Sequence, residues 1–205
     1  MSHQWAFFIS LATGAALVLA APPGRATVAA AIYAASVAAL FGASALYHRI
    51  NWASAAARRW MRRLDHSMIF FLIAGTYTPF ALLALEGTLA TVILVAVWGG
   101  ALGGVFMKLV WIEAPKWVVA MSYVLLGWVA VATFPQLLSG IGITATTLLA
   151  VGGLLYTAGA LVYALRRPDP APKVFGYHEI FHALVIVAAA LQFAVIAFFV
   201  LPSAS

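Results

Sequence analysis

The chain has 205 residues, of which 65% are hydrophobic and only 8% charged, and its mean hydropathy is +1.06. A soluble domain carries roughly a quarter charged residues, so this composition cannot coat a water-facing surface and points to an all-α integral membrane protein. The net charge of +6 has to be explained within that class, and the lack of cysteine excludes disulfides and thiolate metal ligands.

About twenty apolar residues are needed for each crossing of the bilayer. Hydropathy predicts seven spans, over residues 5–21, 26–48, 64–85, 88–110, 117–134, 143–165 and 180–201, all in a single seven-helix transmembrane domain covering 1–205. The first could be a signal-peptide core, but no Lys or Arg precedes it and Pro22-Pro23 follows, so it is read as a retained span. The connections hold breakers: Pro22-Pro23-Gly24, Glu86-Gly87, Glu113-Ala114-Pro115, Pro135, Ser139-Gly140 and the run from Arg166 to Pro170. Gly99-Gly100 and Gly103-Gly104 in the fourth span make a small-residue face for close helix contact. Pro79 in the third span predicts a kink, and Trp5, Trp60, Trp111, Trp117 and Tyr177 read as interfacial anchors.

Seven spans put the termini on opposite sides. The face with the N-terminus then collects Arg49, Arg58, Arg59, Arg62, Arg63, Lys108, Lys116, Arg166, Arg167 and Lys173, whereas the other holds only Arg25. This asymmetry predicts a cytoplasmic N-terminus and an outside C-terminus, in a multi-pass membrane protein. The excess positive charge then reflects orientation and contact with anionic inner-leaflet lipid. No stacking platform interleaves the basic residues, so no nucleic-acid partner is expected.

Polar groups inside a span are costly unless satisfied, which makes their placement informative. There are five histidines. His3 falls in the N-terminal tail and is read as solvated and without a role. The other four gather at the basic face: His48 closes the second span, His66 follows Asp65 at the start of the third, and His178 and His182 open the seventh. Residues four apart share one helix stripe, so His178 and His182 project together, as do Ser44 and His48. His66 lies about 100° from Asp65 and is read as interfacial.

A catalytic zinc site takes three protein ligands and an open fourth position. His48, His178 and His182 would supply three imidazoles from two helices, with Asp65 as general base and Ser44 orienting water or stabilising an oxyanion. Residues 178–182 also spell H-E-x-x-H, the metalloprotease signature. That reading would use Glu179 as base and need a further carboxylate ligand deep in another span; Asp65, at a helix entrance beside arginines, suits this poorly. Asp65 could alternatively be a helix-start charge favoured by the dipole.

The stretches SALYH (44–48), RRLDHSMIFFLIAGTYTPF (62–80) and GYHEIFHALVIV (176–187) together resemble the bacterial hemolysin III family, part of the wider progestin and adipoQ receptor group often placed with alkaline ceramidases. The resemblance covers nearly the whole chain. It implies zinc on His48, His178 and His182, with Ser44 and Asp65 beside it, in a protein of the bacterial inner membrane.

Three functions follow as expectations. The first is a zinc-dependent hydrolase acting on a lipid amide or ester in membrane lipid homeostasis. The second is a membrane sensor or receptor in which zinc is structural and ties the second helix to the seventh. The third, a cytolytic protein, is what the family name implies, but no span shows the sustained polar stripe of a water-filled pore.

Overall fold

The computed structural model describes residues 2–172 and 174–204. Lys173, counted above with the basic face, lies outside the described residues. Among the described residues seven helices are long and apolar enough to cross a membrane, and there is no β-strand element. The crossings are α1 (Ser2–Ala20), α2 (Arg25–Arg49), α3 (Ala55–Leu83), α4 (Gly87–Val110), a compound fifth span, α7 (Gly142–Leu165) and α8 (Tyr177–Val195) with a π-helical turn over Ile196–Val200. The fifth span runs through α5 (Lys116–Trp128), a 3-10 stretch (Val129–Thr133) and α6 (Phe134–Gly140).

The outside of the bundle is apolar. Leu19 is 86% exposed, Val95 and Leu102 67%, and Phe198 71%. A monomer in water rarely presents such a surface, whereas hydrocarbon accepts it. The seven crossings alternate, so Arg49, Arg58 to Arg63, Lys116 and Arg166 all stand at one end of the bundle, with Arg25 at the other. Lys108 belongs to the basic end but is not a surface charge: it is 2% exposed, with its Nζ 3.5 Å from the Ile112 carbonyl.

Helix α3 is central, packing on α2, α4, α5 and the final turns of α8. Small residues allow this. A Cβ at Gly75 would run into the Ser36 side chain of α2, and one at Gly104 of α4 into the Phe70 ring of α3. Of the predicted glycine face on α4, Gly100 and Gly104 therefore work as contacts, against Leu126 and Phe70, while a Cβ at Gly99 or Gly103 would meet no other element within 4 Å. Near Pro79 the Thr78 hydroxyl donates to the Ala74 carbonyl (2.9 Å) and accepts from Trp98 Nε1 (3.2 Å), tying α3 to α4.

Three expectations are corrected. Helix α3 begins nine residues before the apolar stretch, capped by Ser54, whose side chain accepts from the Ala57 amide at 3.1 Å. Hydropathy marks only the apolar part of a helix, while arginine is a good helix former. Asp65 consequently lies about three turns inside α3, and a helix-start dipole does not account for it. The fifth span continues past Pro135 to Gly140, because proline is tolerated in the first turn of α6. Finally, α1 starts at Ser2, which takes His3 out of a solvated tail and into a helix.

Candidate metal centre

Four helices bring polar side chains to one point at the basic end. From α2 come Ser44 and His48, from α8 His178 and His182, from α3 Asp65 and from α1 His3. The ligand-capable nitrogens of His48, His178 and His182 lie within 4.8 Å of one another. His48 Nε2 and His178 Nε2 are 3.3 Å apart. Two nitrogens bound tetrahedrally to zinc at about 2.0–2.1 Å would stand roughly 3.3 Å apart. Three imidazoles with no competing carboxylate among them also suit zinc, so the donor set fits.

The His182 ring is stacked on His3, with centroids 3.7 Å apart and planes at 16°. His3 Nδ1 is 2.8 Å from Ser44 Oγ, and Phe41 packs edge-on against the His3 ring. His3 is 6% exposed and Ser44 2%; His3 Nε2 is buried with no hydrogen-bond partner. His3 is thus the residue that sequence reasoning missed. A histidine two positions after a start methionine reads as a tail unless the first helix is known to reach it, and hydropathy begins that helix at Trp5.

Asp65 faces the Ser44 hydroxyl from α3. His66 turns elsewhere. Its Nδ1 donates to the Arg62 carbonyl at 2.7 Å, which fixes the tautomer, so Nε2 accepts from the Tyr163 hydroxyl at 3.3 Å. Glu179 is engaged by the backbone: its Oε2 accepts from the Gly176 amide at 2.9 Å, closing the start of α8. That engagement weighs against a metalloprotease arrangement with this glutamate as base.

His3, His178 and His182 line one end of a cavity of about 340 Å³ that runs down the bundle between α3, α5, α7 and α8. Its walls are mainly apolar. Trp128, Val131 and Leu154 line it and are also about half exposed on the outer face, so it opens sideways between α5 and α7. Trp128 Nε1 donates to Thr157 Oγ1 (3.1 Å) across that opening.

The sequence profile of the family described as "Haemolysin-III related" matches residues 1–193. The chain belongs to this family. It is 33% identical to Hemolysin-3 of Bacillus cereus over 180 residues, 88% of this chain and 78% of the relative. It is 32% identical to the Hemolysin-3 homolog of Bacillus subtilis (strain 168) over 168 residues, 82% and 75% of the two chains. The Monocyte to macrophage differentiation factor of Homo sapiens is 27% identical over 165 residues, 79% of this chain and 66% of that one.

Within this family member the basic rim of the site is also ordered. Lys116 Nζ donates to the Tyr177 hydroxyl (2.9 Å) and lies 4.5 Å from the Tyr163 ring centre. Arg62 pairs with Glu113 and reaches the Ile112 carbonyl. These contacts close α3, α5, α7 and α8 around the mouth.

Proposed function

We propose that the chain is a zinc-dependent hydrolase of lipid amides or esters, working at the cytoplasmic face of a bacterial inner membrane. The observation that carries this reading is the cluster of His48 with His178 and His182, the last two lining the polar end of a long apolar cavity that Asp65 and Ser44 also line. A bound zinc would supply a Lewis acid at the scissile carbonyl and a water of lowered pKa.

The lipid chain enters through the side opening near Trp128 and lies along the apolar wall, which leaves its carbonyl at the histidines. Asp65 accepts the proton of the attacking water at its carboxylate and passes it to the leaving amine or alcohol. The new bond joins water oxygen to the carbonyl carbon, and the C–N or C–O bond breaks. Ser44, held by His3, donates its hydroxyl to the carbonyl oxygen as charge builds there. The basic rim, with Arg58, Arg59 and Lys116, meets anionic inner-leaflet lipid.

A second reading is favoured by one contact, the stack of His3 on His182. It ties α1 to a cluster that already joins α2 to α8, which is what a sensor with structural zinc requires. Hydrolysis of a long-chain ceramide by purified protein, beside Asp65→Asn, separates the two. The hydrolase loses turnover in the variant by about 10²–10⁴-fold, the contribution of a general base, while keeping its zinc. Absence of turnover in the wild type across amide and ester lipids refutes the hydrolase.

A further inference from the structure

The cavity does not end in hydrocarbon alone. Two residues that line it far from the histidines, Tyr156 and Gln192, each hold a buried polar atom with no hydrogen-bond partner, the Tyr156 hydroxyl and Gln192 Oε1. Gln192 is 3% exposed, in a stretch of α8 otherwise built from Ala, Val, Leu and Phe.

The contacts identify which end of the amide is unmet. Gln192 Nε2 donates to the Leu149 carbonyl of α7 at 3.3 Å, and only the nitrogen end can donate to a carbonyl. The oxygen is therefore the acceptor without a partner. Gly152 makes the arrangement possible, since a Cβ there would stand 2.6 Å from Nε2. Tyr156 follows Gly152 by four residues, on the same face of α7 and one turn nearer the histidines. Tyr33, from α2, serves the same layer but is satisfied by the Ala189 carbonyl at 3.4 Å.

An unmet acceptor and an unmet hydroxyl in an apolar interior are each destabilising. A hydroxyl both donates and accepts, and so has the chemistry to serve each of them. We propose that Tyr156 and Gln192 form a second polar subsite, which binds a hydroxyl carried partway along the hydrocarbon chain of the bound lipid. The ligand hydroxyl donates to Gln192 Oε1 and accepts from the Tyr156 hydroxyl. A ketone at that position would meet Tyr156 only and leave the glutamine oxygen bare. The inference rests on the reading that a lipid chain occupies the cavity, and it narrows the class of that lipid.

The position of the hydroxyl follows from α8. His182 and Gln192 are ten residues apart, about 15 Å along the helix axis. With C–C bonds near 1.5 Å, an extended chain advances roughly 1.25 Å per carbon, so about a dozen carbons cover that span. The favoured guests are long-chain acids, amides or esters hydroxylated near carbon 12. A 2-hydroxyl lies next to the carbonyl and gains nothing here. The competing occupant is a single water bridging the two groups.

The test is competition binding on the purified full-length protein, with a fluorescent long-chain fatty acid displaced by octadecanoic, 12-hydroxyoctadecanoic or 2-hydroxyoctadecanoic acid. The expected preference for the 12-hydroxy acid over the unsubstituted acid is about five- to tenfold, the worth of satisfying buried partners, with none for the 2-hydroxy acid. Within Tyr156→Phe and within Gln192→Leu, the ratio of the first two affinities falls towards one. Should Gln192→Leu fail to fold, Tyr156→Phe carries the comparison. Equal binding of all three acids by the wild type, or an equal gain from the 2-hydroxyl, overturns the subsite and leaves the lipid-chain reading intact. No binding of any acid overturns both.

Discussion

Replacing His3 tests how far the first helix takes part in the site. In His3→Ala the Ser44 hydroxyl keeps Asp65 but loses its contact at 2.8 Å with His3, in a place where both residues are almost fully buried. Loss of one such hydrogen bond costs about 0.5–1.5 kcal/mol. The His182 ring loses a stack at 3.7 Å, worth about 0.5–1.5 kcal/mol. The first loss falls on folding stability. The second frees a ligand ring to turn, and loss of outer-shell support commonly weakens metal affinity by about 10–100-fold. The assays are thermal unfolding in detergent and zinc affinity by competition with a chelator, on His3→Ala, His3→Phe and His3→Asn. His3→Phe keeps the stack and loses the bond to Ser44, so it should lose stability while holding zinc close to the wild-type level. His3→Asn keeps a polar atom near the Nδ1 position and loses the stack, so it should behave in the opposite way. A His3→Ala protein that matches the wild type in both measurements refutes any role for this residue beyond lining the cavity.

Orientation can be read directly, since the chain has no cysteine. In intact cells a membrane-impermeant maleimide should label Glu86→Cys and spare Ala171→Cys; the reverse pattern would invert the proposed topology. Helix packing is tested by glycine substitution. Gly75→Val forces the Ser36 contact apart and should cost about 1–3 kcal/mol by overpacking, lowering the unfolding temperature. Gly103→Ala, with open space around it, should fold as the wild type does.

The sequence discloses much of this arrangement for identifiable reasons. Seven apolar stretches and a one-sided charge distribution order the helices. The spacing of four residues then puts His178 with His182 and Ser44 with His48, and alternate crossing carries both pairs to the same end. No such rule reaches His3, whose burial depends on α1 starting earlier than its apolar run and on α1 touching α8. Asp65 has the expected neighbours but sits about three turns inside its helix, because the arginines before it are helical as well as charged. Glu179 illustrates the converse: H-E-x-x-H is present as letters, yet the glutamate is engaged by the backbone at Gly176. Gln192 gives a signal that hydropathy alone passes over, a polar side chain in mid-span. Its partner, the Leu149 carbonyl, is fixed only by the packing of α7 on α8.

Zinc content is the most direct test of the proposed centre. Purified wild-type protein, His48→Ala and His182→Ala should be measured side by side after identical washing with a weak chelator. The account predicts one equivalent of zinc in the wild type and little in either variant. A wild type that holds no zinc, or a His48→Ala protein that keeps a full equivalent, would contradict it.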